Sequence, residues 1–203
     1  MSSPLQNATM KFLAEFVGAR RVLEIGCYTG YSALAWDEAT EKNKAEIITL
    51  ELDPKMIAAS RETFNKYSLN DRVKLVEGPA DESLKKLTGQ FDLVFVDANK
   101  EGYEGCAKYI LDNKLLSSTG LIMCGNGESL IAALANLVGQ PALTAVTVFA
   151  RGMTISTEEN PQLPAKVRPY WTENGKAPRK FCDFYKDDER VDVVLLPLFG
   201  GVT

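Results

Sequence analysis

Polar residues that can bind a ligand follow five short aliphatic segments of this sequence, at the point where each segment ends. Glu51 follows the second segment, Asp97 the fourth and Asn126 the fifth. Carboxylate and amide groups accept hydrogen bonds and hold cations, and a carboxylate can also move a proton. One such ending carries no information. Ligands bind beyond the carboxyl ends of parallel strands, however, so five endings that meet at one edge predict a site.

The first of these endings is rich in glycine and runs from Glu24 to Gly30 as E-I-G-C-Y-T-G. Its spacing, G-x-x-x-G, differs from the G-x-G-x-x-G of dinucleotide-binding proteins. Glycines allow the backbone to approach a ligand closely, and Glu51 is placed to accept hydrogen bonds from a ribose diol. The glycines alone are typical of a tight turn between a strand and a helix. Together with Glu24 and Glu51 they favour nucleotide-type binding.

The carboxylate of Glu24 also indicates which nucleotide would bind. A pyrophosphate prefers a helix start that is free of nearby negative charge. An acidic residue close to the glycine loop instead suits a ligand with a cationic part, such as the ammonium group of an amino acid. The pattern therefore favours S-adenosylmethionine over a nicotinamide dinucleotide.

Strands and helices alternate regularly through the first 125 residues. Five aliphatic runs are typical of buried strands: Val22–Ile25, Ile47–Leu50, Val73–Val76, Phe91–Val96 and Leu121–Cys124. Between the second and third runs, Asp53 and Pro54 provide an N-cap and a first helical residue. Strands with little polar alternation, separated by helices, predict a doubly wound α/β fold with a mostly parallel sheet and helices on both faces.

The pattern is less regular in the second half of the chain. Four further elements are predicted there: helices at Leu130–Val138 and Lys180–Lys186, and strands at Ala145–Phe149 and Val191–Leu196. Residues 151–178 contain four prolines, which is typical of a long surface loop, either a lid or a tolerated insertion. We expect one domain over residues 1–203, with a long loop or insertion at about 127–178.

Composition excludes several classes of protein. The chain has 203 residues, 45% hydrophobic and 25% charged, and its net charge of −4 gives no electrostatic reason to bind nucleic acid or an anionic membrane surface. No apolar run reaches the roughly 18 residues of a membrane span. Histidine is absent, which excludes a Ser-His-Asp triad and His-ligated zinc or haem. Four widely separated cysteines, without a secretion signal, predict reduced thiols in a cytoplasmic protein.

Three stretches of the chain, Val22–Ser32, Glu51–Pro54 and Phe91–Lys100, resemble the class I S-adenosylmethionine-dependent O-methyltransferases. The branch they resemble is the cation-dependent one, which includes the catechol and caffeoyl-coenzyme A enzymes. The likeness runs from about Pro4 to Asn126 and resumes near Arg179. Many methyltransferases share the glycine motif, whereas the D-A-N-K stretch that begins at Asp97 is more diagnostic. The implied fold is the Rossmann-like, doubly wound sheet of this class.

The resemblance also implies a role for each polar ending. The cofactor would be lined by Glu24, Gly26, Tyr28 and Ser32 at its methionine part, by Glu51 at the ribose, and by Ala80 and Asp81 at the adenine. Asp97 would lie close to the methyl sulfonium and bind a divalent metal, with Asn126 as a second metal ligand, and Lys100 would take the proton of the acceptor hydroxyl.

The sequence departs from this family at three places. The Asp-Asn pair that follows the fifth strand is Gly125-Asn126 here, so one metal carboxylate is missing and the affinity for Mg²⁺ should fall. The segment before the first helix is short, which removes part of the substrate cover. The chain ends at Thr203, where the last antiparallel strand of the family would begin. Either the sequence is trimmed or Ala145–Phe149 supplies the missing sheet edge.

The preferred hypothesis is an O-methyltransferase that acts on a small, phenolic or catechol-like hydroxylated metabolite, with weak or absent metal dependence. Methyl transfer from a sulfonium is an in-line displacement, so the main task of the protein is positioning. Lys100 would serve as the base if burial or a neighbouring cation lowered its pKa. The expected partner is the acceptor, and a homodimer is left open.

Two alternatives belong to other classes of protein. One is a protein of this fold that binds S-adenosylmethionine without methyl transfer and acts by association. The other, a nicotinamide oxidoreductase, is poorly supported because the chain lacks a Tyr-x-x-x-Lys pair: Tyr103 is followed four positions later by Ala107.

Overall fold

The computed structural model describes residues 4–124, 144–149, 188 and 190–196. Within these ranges, side chains are described except at residues 4–6, 100, 144–149 and 191–196. The helices predicted at Leu130–Val138 and Lys180–Lys186, and the loop at 151–178, lie outside the described residues.

Seven strands form one sheet in the described part of the chain. Their bounds are β1 Arg21–Ile25, β2 Glu46–Glu51, β3 Val73–Glu77, β4 Phe91–Val96, β5 Leu116–Cys124, β6 Thr144–Phe149 and β7 Val191–Leu196. The spatial order is β3-β2-β1-β4-β5-β6-β7, and every neighbouring pair is parallel. The predicted doubly wound parallel sheet is therefore confirmed. A predicted boundary differs by more than one residue only at β5, which begins at Leu116 rather than Leu121.

The outer edge of the sheet differs from the expectation. Ala145–Phe149, as part of β6, does join the sheet, but it lies between β5 and β7. It pairs with β7 over its full length, from Thr144 opposite Val191 to Phe149 opposite Leu196. At this end of the described sheet the edge strand is β7. Of the two alternatives, the one in which Ala145–Phe149 forms the edge is therefore wrong, and the described strands contain no antiparallel pair.

Five α-helices are described: α1 Pro4–Phe16, α2 Tyr31–Ala39, α3 Pro54–Lys66, α4 Ala80–Ser83 and α5 Tyr103–Asp112. Short 3-10 helices follow α4 and precede α5, at Leu84–Lys86 and Lys100–Gly102. The predicted start of α3 is confirmed, because the Asp53 side chain accepts the N–H of Lys55 at 2.7 Å and Pro54 is the first helical residue.

Helices cover both faces of the sheet. Successive residues of a strand point to opposite faces, and β4 contributes to two separate apolar clusters. Phe95 packs edge-on against Trp36 of α2, in the cluster that also contains side chains of α1 and α3. Val94 belongs to the second cluster, with Ile110 of α5. The polar residues at the carboxyl ends, such as Glu51 and Asp97, belong to neither apolar cluster.

Candidate active site

Backbone hydrogen bonds connect the chain segments at the carboxyl ends of β1, β2, β3 and β4. The N–H of Asp97 donates to the carbonyl of Ile25 at 2.8 Å, and the N–H of Gly26 donates to the carbonyl of Leu50 at 3.0 Å. The N–H of Gly78 donates to the carbonyl of Glu51 at 2.9 Å. Pairing therefore continues one residue past each strand, which brings the polar endings to one edge of the sheet.

A cavity of about 670 Å³ lies at this edge. Its volume falls within the range of pockets that enclose a small molecule. Six of the residues predicted to bind the cofactor line it: Gly26, Tyr28, Glu51, Ala80, Asp81 and Asp97. The structure thus brings together endings from four strands that are far apart in the sequence.

Gly26 lies directly against the backbone that follows β4. It has φ 101°, in the region that favours glycine. A Cβ atom at this position would lie 2.5 Å from the backbone oxygen of Asp97. Only a residue without a side chain allows this approach, so the glycine is required by the position of Asp97 as well as by the turn.

Glu51 is held in place by three backbone N–H groups. Its Oε2 atom accepts from Tyr28 at 2.7 Å, and its Oε1 atom accepts from Leu52 at 2.8 Å and from Asp53 at 2.9 Å. An ionised carboxylate has about four acceptor sites. The group is therefore fixed in orientation and retains capacity for a donor from a ligand in the cavity.

Glu24 and Ser32 are not among the residues that line the cavity. Glu24 is fully buried, and its carboxyl group accepts from the Trp36 indole at 3.1 Å and from the Thr49 hydroxyl at 2.6 Å. Burial raises the pKa of Glu24 to about 7, although hydrogen bonds from Ser32, Thr49 and Trp36 oppose this rise. Glu24 therefore lies beneath the glycine loop, inside a hydrogen-bonded network, rather than on the cavity wall.

Charge in the cavity favours a cationic ligand. Of the charged residues that line it, four are acidic (Glu51, Asp53, Asp81 and Asp97) and one, Lys85, is basic. An excess of carboxylates attracts a group such as a sulfonium or an ammonium and opposes a pyrophosphate.

Sequence reasoning missed the apolar wall of the cavity. This wall includes Leu52, Tyr103, Cys106 and Tyr109. Tyr103 is buried, and its hydroxyl lies 3.4 Å from Oδ1 of Asp97. The available signal was the helical spacing of Tyr103, Cys106 and Tyr109, which places these three side chains on one face of α5.

The predicted catalytic and metal residues are only partly described. Asp97 lies on the cavity wall, and Lys100 begins the short helix that follows it, although its side chain is outside the description. Gly125 and Asn126 are outside the described residues. Among the described residues, no three acidic, cysteine or histidine side chains gather to hold a metal ion.

Cys27, in the glycine loop, is a packing residue, as expected. It is 1% exposed, and burial raises the pKa of its thiol to about 12. A thiolate is the reactive form of cysteine, so this side chain is inert near neutral pH.

None of the helices in the described part of the chain is long and apolar enough to cross a membrane.

A parallel sheet with a glycine-rich loop after β1, a carboxylate at the end of β2 and an acidic cavity beside them is typical of class I methyltransferases. Residues 1–130 match the sequence profile of the O-methyltransferase family, so the chain belongs to that family. It is 37% identical over 204 residues to O-methyltransferase ankF of Aspergillus thermomutatus, covering 100% of this chain and 77% of the relative. It is also 40% identical over 100 residues to a catechol O-methyltransferase of Mycobacterium tuberculosis, which covers 49% of this chain and 45% of that one.

A solved structure agrees with these sequence relatives. The S-adenosylhomocysteine-bound methyltransferase PaMTH1 of Podospora anserina superposes with a TM-score of 0.80 at 52% identity, covering 98% of this chain and 76% of that one. The protein is an S-adenosylmethionine-dependent O-methyltransferase. Family membership gives no support to a nicotinamide oxidoreductase. The sequence relatives are named O-methyltransferases, which favours the enzyme over a protein that only binds the cofactor.

Proposed function

We propose that this enzyme methylates a hydroxyl group of a small phenolic or catechol-like metabolite. The observation that carries the proposal is the acidic cavity in which Glu51 and Asp97 share one wall with the glycine loop. Such a cavity suits a nucleoside that bears a positive charge. The catechol O-methyltransferase relative supports a phenolic acceptor, and the size of the cavity supports a small one.

Each cofactor residue has a proposed task. Glu51 accepts a hydrogen bond from the ribose through its remaining acceptor capacity, and Gly26 lets the methionine part approach the backbone. Ala80 and Asp81 flank the adenine beside the apolar wall of α5. Tyr28 lines the methionine part from the cavity side, whereas Glu24 and Ser32 act from beneath the glycine loop.

The chemistry of the proposed reaction divides between the donor and the chain. S-adenosylmethionine, when bound, supplies an electrophilic methyl group on a sulfonium. The chain holds the acceptor oxygen in line with that group and excludes water, which is where most of the rate of such a displacement originates. Lys100 removes the proton of the acceptor hydroxyl, because a phenol is a poor nucleophile until it is deprotonated. Asp97 supplies negative charge next to the cationic donor.

We propose that methyl transfer depends weakly or not at all on a divalent cation. Position 125 is glycine and adds no carboxylate, so Asp97 and Asn126 are the only predicted protein ligands. Fewer anionic ligands lower the affinity of a hard cation. Turnover should continue in excess chelator; loss of activity in chelator with recovery in magnesium would contradict this part.

Two substitutions test the assigned roles, with catechol as the acceptor and S-adenosylmethionine as the donor. Lys100→Met should lower kcat about a hundredfold, the order of a general base, and leave S-adenosylhomocysteine affinity unchanged. Glu51→Gln should weaken that affinity at least about tenfold, because a charged hydrogen bond is lost. The exposed residues Lys86 and Glu62 provide matched controls, as Lys86→Met and Glu62→Gln. Equal activity of Lys100→Met and wild type would exclude Lys100 as the base.

We further propose that the enzyme works in the cytoplasm, and a homodimer stays an open prediction for its assembly. The buried Cys27 and Cys106, which form no disulfide, support a reducing compartment. Light scattering coupled to gel filtration would measure the assembly directly, and a mass of one chain would contradict a dimer.

A further inference from the structure

The glycine loop rests on one face of α3. Ser60, Thr63 and Phe64 are three or four positions apart, so they lie on the same side of that helix. Gly30, at the end of the loop, packs directly against this face: a Cβ atom there would lie 2.9 Å from Cε1 of Phe64 and 3.3 Å from Cγ2 of Thr63. The loop and the helix are therefore in close contact although more than 30 residues separate them in the sequence.

Two hydroxyl groups of α3 bind carbonyl groups of the loop. Ser60 Oγ donates to the Tyr28 carbonyl at 2.7 Å, and Thr63 Oγ1 donates to the Thr29 carbonyl at 2.9 Å. Ser60 is fully buried, and its single proton is shared with the Met56 carbonyl at 2.8 Å. Without these donors, two successive loop carbonyls would lose their partners on the helix.

The bonds hold Tyr28 in an unfavourable conformation. Tyr28 has φ 53°, a left-handed value that costs a residue with a side chain free energy, and the surrounding contacts must compensate for it. Its carbonyl is held by Ser60, while its N–H is held by Glu51 at 2.7 Å. Hydrogen bonds therefore fix both the N–H and the carbonyl of Tyr28. The residue remains 50% exposed and lines the cavity.

We propose that Ser60 and Thr63 are positioning residues for the methyl donor. Neither lines the cavity, and both act through the loop: they keep Tyr28 in its left-handed conformation, which places its side chain at the cavity and its N–H on Glu51. This inference rests on the proposed cofactor roles of Tyr28 and Glu51. When the two hydroxyl groups are removed, the loop relaxes, and the donor must restore the loop conformation as it binds.

The test measures the dissociation constant of S-adenosylhomocysteine by calorimetry on the full chain. Thr63→Val removes the hydroxyl and keeps the shape, whereas Thr63→Ser keeps the hydroxyl and removes the methyl group. We expect Ser60→Ala combined with Thr63→Val to weaken binding about tenfold, as expected for two hydrogen bonds. Thr63→Ser should restore most of the loss that Thr63→Val causes. Thermal unfolding of each variant separates affinity from stability.

Each result decides between the positioning role and its alternatives. If Thr63→Val lowers the melting temperature but leaves the dissociation constant unchanged, the hydroxyl serves only the fold and the inference is wrong. If Thr63→Ser binds as weakly as Thr63→Val, the methyl group rather than the hydroxyl matters, which also overturns it. Because Thr63 is only half-buried, this pair stays informative even if Ser60→Ala fails to fold.

Glu51→Gln separates this inference from the proposed function. Unchanged affinity in Glu51→Gln would mean that the proposed cofactor site is wrong. Weak binding in Glu51→Gln with normal binding in the Ser60 and Thr63 variants would leave the site in place and overturn only the positioning role.

Discussion

A carboxyl group that is cut off from water, as Glu24 is, binds its proton more tightly than the same group in an unfolded chain. Its neighbours Trp36 and Thr49 satisfy the two oxygens but carry no positive charge, so they offset the cost of burial only in part. Glu24 is therefore an acid whose protonation changes near neutral pH while its hydrogen-bond partners stay in place.

Stability should decrease as pH rises through this range. The folded pKa of Glu24, about 7, exceeds the ordinary value of 4.5, so folding takes up a proton between these values. The stabilising contribution of Glu24 is then fully present below about pH 4.5, decreases between that pH and about pH 7, and does not change further above it. At about 1.4 kcal/mol per pKa unit, Glu24 contributes a decrease on the order of 3 kcal/mol.

Urea denaturation at acidic and mildly alkaline pH would measure this effect. Glu24→Gln cannot ionise, so its free energy of unfolding should change less with pH than that of the wild type, by about 3 kcal/mol. Glu62→Gln, at an exposed site, should keep the wild-type dependence. The same pH dependence in Glu24→Gln and wild type would show that folding does not shift the pKa of Glu24.

At the scale of elements, the site depends on how closely β1 and β4 meet. The two strands are neighbours in the sheet although 65 residues lie between the end of β1 and the start of β4. After β2 and β3 have formed on one side of β1, the chain crosses to its other side to form β4. The contact of Gly26 with the Asp97 backbone is where their loops touch. A change in that spacing would move Asp97 relative to the rest of the cavity.

Gly26→Ala should therefore damage both stability and binding. The added Cβ meets the Asp97 oxygen, and φ 101° is unfavourable for alanine, so we expect a loss of about 3 kcal/mol and no detectable S-adenosylhomocysteine binding. Gly18→Ala is the matched control: φ is 62°, but no atom lies within 4 Å of its Cβ position. It should cost about 1 kcal/mol and bind normally. Equal losses in the two variants would assign the whole effect to backbone conformation.

Local signals explain which parts of this arrangement the sequence could predict. Asp53 and Pro54 predict the start of α3 because the effects of an N-cap and a first-turn proline on the backbone extend over only a few residues. The polar strand ends converge because parallel pairing dictates it. The burial of Glu24 depends on Trp36 and Thr49, 12 and 25 residues away, and no local pattern encodes such a contact.

Other contacts escaped prediction for the same reason. The bonds of Ser60 and Thr63 to the glycine loop span 32 and 34 residues, and no local pattern indicates them. Tyr103 lines the cavity, although the sequence indicates for it only an incomplete Tyr-x-x-x-Lys motif. The roles of Lys100 and Asn126 stay predictions.

At the scale of the whole molecule, the described cysteines are distributed through the structure and are all buried. Cys27 lies in the glycine loop and Cys124 at the end of β5, both almost without exposed surface. A reagent can reach them only when the surrounding elements separate. Their reactivity is therefore a measure of how often the molecule opens.

Thiol labelling in native buffer should be slow at Cys27 and Cys124 and fast in denaturant. Because a ligand that binds only the folded state shifts the equilibrium by mass action, S-adenosylhomocysteine at about 100 times its dissociation constant should slow labelling about a hundredfold. Mass spectrometry of labelled peptides assigns the rates. Labelling of Cys27 that is slowed while Cys124 is unaffected would show local opening of the loop instead of global opening.

The chain contains two tryptophans, Trp36 and Trp171. Trp36 is fully buried, and its indole N–H is bound to Glu24 beneath the loop that faces the cavity. In a Trp171→Phe variant, the remaining indole would be a built-in fluorescent reporter of that interior. Its emission colour and intensity would follow the titration of one neighbouring acid in real time, without any attached dye.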